Sequence, residues 1–292
     1  MIRTIENNTL RISVSDHGAE LTSIYDKVND REVLWQADPA YWKRHAPVLF
    51  PNVGRHYNDT WRLNGTEYTS KQHGFARDSE FICTDITDSS LTFVLKSSDE
   101  TQKSYPFSFA LKITYTLKEH DLDVCWEVVN EDSETMYFTI GAHPAFCVPA
   151  REDDVQSDYH LAFEGQTSLT YLLLDPASGT AISDEPHTLT LENGSCLIAA
   201  HMFDKDALVF DNGQIQKASI LLPDGTPYVT LTSEGFPNYG IWSVPGAPFV
   251  CLEPWMGRCD DRGFTGELTE KSNINVLRPE EEFIKSYQIT VH

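Results

Sequence analysis

The chain has no long apolar run and few basic residues. No hydrophobic stretch approaches the roughly 20 residues of a transmembrane helix, and the N-terminal segment MIRTIENNTLRISV has no signal-peptide core. We therefore expect a cytoplasmic protein without a membrane partner. Lys and Arg number 22 against 44 Asp and Glu, a formal net charge of −22. Such a surface repels nucleic-acid phosphates, so no nucleic-acid partner is expected.

Several chemical motifs are missing as well. The six cysteines contain no CxxC pair, so we predict free thiols rather than disulfides or a zinc site. A Gly-rich phosphate loop, a GxSxG elbow and an HExxH motif are all absent. We therefore expect neither a cofactor nor a metal ion.

Helical periodicity is scarce, and the dominant hydrophobic period is two. Strand-like segments are rich in Val, Ile, Thr, Tyr and Phe and end at Gly, Asn, Asp or Pro. They are LRISV, LTSIYD, LTFVLKSS, FSFALKITYTL, LDVCWEVVN, TMYFTI, ASILL, YVTLTS, FVCLE and FIKSYQITV. Many strands with short polar connections favour an antiparallel sandwich or barrel over βαβ units. With no linker or repeat, we predict one all-β domain over residues 1–292, with a hairpin at the KEHD turn.

Four short segments place titratable residues beside apolar runs, glycine or proline. They are HAPVLFPNVGR (45–55), KQHGFARDSEF (71–81), TIGAHPAF (139–146) and FVCLEPW (249–255). The last is the most informative, because residues 249–252 read as a fully buried strand and Glu253 ends it. A carboxyl group there, beside Phe249 and Trp255, is expected to have a raised pKa that suits proton transfer.

The order of these motifs resembles the aldose 1-epimerase (galactose mutarotase) superfamily, most closely its LacX-like branch. The resemblance rests on PxxGR, HG, a strand-end HP and a late strand ending in Glu. The segments GAEL and FPNYGIW add to it, and the similarity runs from LRISVSDHGAELTSI to LRPEEEFIKSYQITV. It implies a large antiparallel β-sandwich that holds a small-molecule sugar in an open cleft on one sheet.

The resemblance also implies roles for individual residues. Glu253 matches the general base that acts on the anomeric hydroxyl, and His143 matches the general acid at the ring oxygen. His73 matches the histidine that assists at the ring oxygen or orients the sugar. We expect Glu253 and His143 to face each other across a gap the width of a pyranose ring.

Residues that bind the sugar follow from the same resemblance. Arg55 matches the arginine that binds sugar hydroxyls. Asp206 is the better match to a hydroxyl-binding aspartate, with Asp204 as its rival. Phe75 and Trp255 are the favoured aromatic members of the site, because they adjoin titratable residues; the other available aromatics are Trp42, Phe236, Tyr239 and Trp242.

Three functions remain open on this evidence. The first is a cofactor-free mutarotase that interconverts the α and β anomers of a hexose, as a monomer or homodimer. The second is a non-catalytic carbohydrate-binding or sensing protein on the same fold. The third is a mutarotase of a phosphorylated hexose, in which Arg44, Arg77 and Lys71 hold the phosphate. The residues after His143 (PAF) and Glu253 (PW) depart from the galactose mutarotases, which leaves the sugar open.

Overall fold

The molecule is built from strands and turns. A computed structural model describes all residues, 1–292, and contains no α-helix, so no helix is long and apolar enough to cross a bilayer. Single 3-10 turns occur at Tyr57–Asp59, Ala76–Asp78, Thr101–Lys103, Gln156–Asp158 and Leu268–Glu270.

The strands are numbered in chain order. The first twelve are β1 (Ile2–Glu6), β2 (Leu10–Ser15), β3 (Leu21–Asp26), β4 (Arg31–Glu32), β5 (Val48–Leu49), β6 (Thr60–Leu63), β7 (Thr66–Thr69), β8 (Ile82–Ile86), β9 (Ser90–Lys96), β10 (Phe109–Lys118), β11 (Asp121–Asn130) and β12 (Met136–Phe138). The others are β13 (Ile140–Ala142), β14 (Ala145–Cys147), β15 (His160–Phe163), β16 (Ser168–Leu172), β17 (His187–Thr190), β18 (Ser195–Leu197), β19 (Leu208–Phe210), β20 (Lys217–Leu221), β21 (Pro227–Thr232), β22 (Asn238–Trp242), β23 (Phe249–Met256), β24 (Asn275–Leu277) and β25 (Glu282–Val291).

The predicted hairpin forms as expected. Strands β10 and β11 pair antiparallel from Phe109–Asn130 to Lys118–Asp121, which leaves Glu119 and His120 as the two-residue turn. Glu119 adopts a positive φ of 49°, as the tight turns that suit twisted strands require. Buried and half-buried residues alternate along both strands, so one face of the hairpin covers the core.

Two large sheets dominate the architecture. One has nine strands in the order β18-β15-β20-β21-β25-β11-β10-β9-β8, and the other has eight, in the order β17-β16-β19-β22-β23-β13-β5 with β14 also on β23. Every strand pair is antiparallel, including those of a four-stranded sheet (β1 to β4) and two ribbons (β12-β24 and β6-β7). The predicted all-β antiparallel sandwich is confirmed.

The main core lies between the two large sheets. A cluster of 60 buried apolar residues draws on both, and Phe163 of the nine-stranded sheet meets Phe210 of the eight-stranded sheet with ring centroids 6.5 Å apart. The largest buried side chains include Trp126 and Phe109, which belong to the nine-stranded sheet. All six cysteines are free thiols, as predicted.

Strand β23 is covered on both of its faces. Val250 and Leu252 point into the main core, whereas Cys251 and Trp255 belong to two smaller clusters on the opposite side. Side chains alternate along a strand, so Glu253 shares this second face. The apolar run before Glu253 is therefore explained, but the expectation that Glu253 ends the strand is wrong, because β23 continues to Met256. The candidate site lies on the outer face of the eight-stranded sheet.

Candidate active site

Strand pairing brings His143 and Glu253 together. Strands β13 and β14 both pair with β23, through Gly141–Trp255 on one side and Ala145–Cys251 on the other. His143 lies in the break between the two short strands, and counting inward along the register places it opposite Glu253. Cross-strand neighbours of this kind have side chains within reach of each other.

The two side chains touch directly. His143 Nε2 and Glu253 Oε2 are 3.3 Å apart, so the prediction of a gap as wide as a pyranose ring is wrong. Both groups leave the same point of the sheet, and the register fixes their separation. A ligand must therefore approach the pair from the open side of the cavity rather than lie between its members.

Burial controls the protonation of this pair. Glu253 is 1% and His143 8% exposed. Burial raises the pKa of Glu253 well above its usual value, the charge of Asp206 adds to the rise, and the nearby Trp255 indole N–H opposes it. Burial also lowers the pKa of His143 to about 3. Burial therefore favours a protonated carboxyl group beside a neutral imidazole.

Trp255 lies flat across two glycines of the neighbouring strands. A Cβ atom at Gly141 would come within 2.4 Å of the indole Cδ1, and one at Gly240 within 2.3 Å of Cζ2. Only glycine on both strands leaves room for the ring against the sheet. This packing places the Trp255 indole beside Glu253, two residues earlier on the same strand face.

Two further tryptophans enclose the His143 ring. Trp42 stacks on it with centroids 4.8 Å apart, and Trp242 meets it edge-on at 5.5 Å. His143 Nδ1 has no hydrogen-bond partner. The imidazole plane is therefore restrained by these indoles rather than by a hydrogen bond through Nδ1.

His73 reaches the site from a sharp loop. Its own φ is 65° and that of Gly74 is 68°, and a Cβ at Gly74 would lie 2.3 Å from the Phe50 carbonyl oxygen. The HG pair is thus explained by a close passage of two chain segments. His73 Nδ1 accepts a hydrogen bond from the Gly54 N–H at 3.0 Å. Burial lowers the pKa of His73 well below its usual value, so the ring is neutral and carries its proton on Nε2.

A cavity of about 290 Å³ opens over these groups, and we call it the Glu253 cavity. It is lined by His73, His143, Glu253, Trp255 and Asp206, together with Trp42, Trp242 and Arg77. Several lining polar atoms are buried without any hydrogen-bond partner: His143 Nδ1, Glu253 Oε2, Trp255 Nε1 and Arg77 Nε. Buried polar atoms are nearly always paired, so this concentration indicates a site built to receive a polar ligand.

Asp206 rather than Asp204 lines the Glu253 cavity. Asp206 has a φ of 74° and is exposed, and its Oδ1 accepts a hydrogen bond from the Ala207 N–H at 2.8 Å. Its second oxygen makes no hydrogen bond within the protein. Asp204 instead pairs with His201 at 2.9 Å on the surface.

Two of the expected site residues lie elsewhere. Arg55 is absent from the cavity wall: its guanidinium holds the Asp59 carboxylate at 2.9 Å, and its stem packs on Gly179, which does line the cavity. Phe75 is half-buried against the main core, edge-on to Phe50 at 6.3 Å, and does not line the Glu253 cavity. The turn at Gly74 sends His73 and Phe75 to opposite sides of the loop.

The other candidates divide between site and core. Phe236 and Tyr239 belong to the main core. Of the residues expected to hold a phosphate, Arg77 lines the Glu253 cavity and Lys71 does not. Sequence reasoning missed the stacking of Trp42 on His143, because residues 36–47 carry no regular pattern that would place an indole there.

A metal ion is conceivable at one point only. Donor atoms of His143, Cys251 and Glu253 lie within 4.8 Å of one another. Burial raises the pKa of the Cys251 thiol and of the Glu253 carboxyl, and protonated groups are poor metal ligands. The cluster therefore fits a metal badly, and its groups are better suited to moving protons.

Comparisons with known proteins identify the family of the chain and match its fold. The family model described as aldose 1-epimerase matches residues 1–283. Protein LacX of Lactococcus lactis subsp. lactis is 32% identical over 296 residues, which covers 98% of each chain. The chain therefore belongs to the aldose 1-epimerase family.

Solved structures of similar proteins have the same fold. A galactose mutarotase related enzyme from Lactobacillus acidophilus has a TM-score of 0.94 at 34% identity, covering 100% of this chain and 97% of that one. A galactose mutarotase-like protein from Lactobacillus casei has a TM-score of 0.91 at 31% identity, with 100% of both chains covered.

Proposed function

We propose that this protein is a mutarotase that interconverts the α and β anomers of a hexose without a cofactor. The observation that carries the proposal is the contact of Glu253 with His143 at 3.3 Å in a cavity whose buried polar atoms lack partners. Mutarotation needs one base and one acid close together, because the two reacting oxygens, O1 and O5, are bonded to the same carbon.

The proton count of the pair suits this reaction. A protonated Glu253 beside neutral His143 carries the same number of protons as a carboxylate beside an imidazolium. Burial favours the first arrangement, whereas hydrogen bonds from sugar hydroxyls to a carboxylate favour the second. Sugar binding therefore prepares Glu253 as the base and His143 as the acid.

Ring opening then converts one arrangement into the other. Glu253 takes the proton from O1, the bond between C1 and O5 breaks, and His143 gives its proton to O5. The open-chain aldehyde rotates about the bond between C1 and C2. Ring closure on the opposite face of the aldehyde reverses both transfers, so the pair ends in its starting state and the anomer is inverted.

The groups around Glu253 and His143 can orient the sugar. The proton on His73 Nε2 can hydrogen-bond a sugar oxygen, since Nδ1 is occupied by Gly54. Asp206 presents a carboxylate oxygen at the cavity mouth for sugar hydroxyls. The indole of Trp255 gives a flat apolar wall, on which the C–H face of a pyranose can pack.

Polarimetry on freshly dissolved α-glucose and α-galactose tests the proposal. We expect Glu253→Gln and His143→Ala each to lower kcat by about 10²–10⁴-fold, the usual worth of general acid–base catalysis. Matched controls are Glu234→Gln and His201→Ala, which change exposed residues outside the cavity and should retain the full rate. Near-normal rates in both site variants would refute these roles.

A phosphorylated hexose is the second candidate substrate, and one observation favours it. Arg77 lines the Glu253 cavity, and its Nε makes no hydrogen bond, although it lies 4.0 Å from the Asp78 carboxylate. Burial together with the charge of Arg44 lowers the pKa of Arg77 to about 10. Two guanidinium groups therefore lie near each other beside the cavity, although Asp78 pairs with Arg44 at 2.7 Å.

Rates on glucose and glucose 6-phosphate distinguish the two substrates. If phosphate is bound, Arg77→Met should raise KM for the phosphorylated sugar far more than for glucose. Equal effects on the KM of both sugars would mean that Arg77 lines the cavity without binding phosphate. Calorimetric binding of either sugar without any polarimetric rate would instead favour the non-catalytic carbohydrate-binding protein.

A further inference from the structure

A second and larger cavity lies beside the Glu253 cavity. It has a volume of about 580 Å³ and we call it the His56 cavity. The two cavities share no lining residue. Loop residues alternate between them: Asn52, Lys71 and Phe75 line the His56 cavity, whereas Gly54 and His73 line the Glu253 cavity.

A buried polar cluster forms one wall of the His56 cavity. Asp260 is 3% exposed, lies 3.2 Å from His56 Nδ1 and also binds the Lys271 ammonium group. Burial alone would raise the pKa of Asp260, but His56 and Lys271 outweigh it and hold the value at about 2. Asp260 is therefore ionised and must accept the proton of Nδ1.

This cluster leaves one acceptor and two donors unused. Burial lowers the pKa of His56 despite its carboxylate neighbour, so the ring is neutral and Nε2 is an acceptor. His56 Nε2 has no partner in the protein, and Lys271 bonds only to Asp260, which leaves two ammonium protons. An acceptor beside donors is the arrangement that recognises a hydroxyl group, since a hydroxyl both donates and accepts.

The other walls of the His56 cavity offer amide, hydroxyl and aromatic groups. Asn52 Nδ2 donates to the Gly54 and Lys71 carbonyls at 2.9 and 3.1 Å, and its Oδ1 accepts nothing from the protein. The buried Ser70 Oγ has no partner either. Further hydroxyls come from Thr69, Ser79, Thr101 and Ser104, and aromatic rings come from Trp61, Phe75 and Tyr105.

The charges of the lining nearly cancel. Lys271 is paired with Asp260, Lys103 with Glu100 and Asp78 with Arg44. Lys71, at the exposed rim, is the one lining cation without an ion pair. Hydroxyls, balanced charge and aromatic faces together suit a neutral polyhydroxylated ligand better than an anion.

The volume of the His56 cavity limits the size of the ligand. By the same measure the His56 cavity is twice the volume of the Glu253 cavity, at about 580 against 290 Å³. If the smaller cavity holds one pyranose, the larger holds two. We propose that the His56 cavity is a second carbohydrate site that binds a neutral disaccharide, independently of the reaction at Glu253.

Calorimetry with lactose, maltose and trehalose tests the proposal, and trehalose is informative because it has no free anomeric hydroxyl. We expect at least one of the three to bind with a Kd of about 1 mM or tighter. Thr69→Trp fills the cavity from an exposed position at the end of β7 and should weaken that binding at least tenfold. Thr66→Trp makes the same change in the same strand outside the cavity and should bind like the wild type.

A second variant probes the polar wall, and a third separates this site from the catalytic one. His56→Phe keeps a ring but removes the Nε2 acceptor, so it should also weaken binding, with circular dichroism as the check on folding. Glu253→Gln should bind the disaccharide normally, whatever its polarimetric rate. The failure of the proposed mutarotase activity would therefore leave this proposal intact.

Three results would overturn it. The first is an absence of binding by all three neutral disaccharides. The second is binding that is lost in Glu253→Gln and kept in Thr69→Trp, which would place the sugar in the Glu253 cavity. The third is tighter binding of lactobionate, the anionic oxidised form of lactose, than of lactose itself, which would assign the cavity to an anion.

Discussion

Replacement of Gly240 by alanine tests how Trp255 is held beside Glu253 and His143. The added Cβ would lie 2.3 Å from Trp255 Cζ2 and 2.4 Å from Cη2, whereas carbon atoms in contact are about 3.5–4.0 Å apart. The indole must therefore move by about 1 Å or more. Since the ring is sandwiched against the sheet, its free direction is into the Glu253 cavity.

Two effects should follow from this displacement. Overpacking of a well-filled site costs about 1–3 kcal/mol of unfolding free energy, and a shift of about 1 Å near reacting groups lowers kcat/KM by about 10²-fold. The sign of the change in unfolding free energy is diagnostic, because a Gly→Ala change without a clash would stabilise the protein by about 0.4–1 kcal/mol. Urea unfolding and polarimetry measure the two quantities.

The double variant Gly240→Ala/Trp255→Phe provides the control. A phenyl ring is smaller than an indole and relieves the contact, so Gly240→Ala should cost much less in the Trp255→Phe background. The expected coupling is about 0.5–3 kcal/mol, the range for residues in contact. A Gly240→Ala protein as stable and as active as the wild type would refute the account of this packing.

Four other perturbations address protonation and metals: a change of pH, Asp206→Asn, Glu253→Gln and treatment with EDTA. Burial lowers the pKa of His143 to about 3 and raises that of Glu253, so kcat/KM should show no inflection near pH 6.5, where a free imidazole titrates. Asp206→Asn removes a charge that raises the pKa of Glu253, so this variant should lose activity at a lower alkaline pH than the wild type. A carboxyl group whose pKa is raised on folding destabilises the folded state once the pH exceeds its pKa in the unfolded chain, about 4.5 for Glu253. Glu253→Gln should therefore be more stable than the wild type at pH 7, by a difference that shrinks towards pH 4.5. Equal urea midpoints of the two proteins at both pH values would contradict this. EDTA should leave the polarimetric rate unchanged, and a chelator-sensitive rate restored by zinc would instead assign a metal to His143, Cys251 and Glu253.

The strands could be predicted because they depend on local pattern. The alternation in β10 and β11 and the run before Glu253 identify strands whatever their neighbours. Glu253 itself was recognisable, since a carboxylate that follows a buried run needs a cavity. His143 was recognisable from its place at a strand end, but its distance from Glu253 was not, because that depends on pairing between strands more than 100 residues apart.

The positions of side chains around the site were harder to predict. Arg55 and Phe75 both adjoin motif residues in the sequence, yet one is held by Asp59 and the other packs on Phe50. In a sharp loop, neighbouring residues point to different sides, so closeness in the chain is a poor guide to shared contacts. The His56 cavity gave no sequence signal, because its polar wall joins His56, Asp260 and Lys271 from distant segments.

The two covered faces of β23 restrict how this strand can change. Val250 and Leu252 fill the core, while Cys251, Glu253 and Trp255 face the site. Insertion of a single residue early in the strand would exchange these two sets, burying a carboxyl group in the sandwich and turning leucine towards the Glu253 cavity. Homologues should therefore vary in length in the loops on either side of this strand and keep its residue count constant.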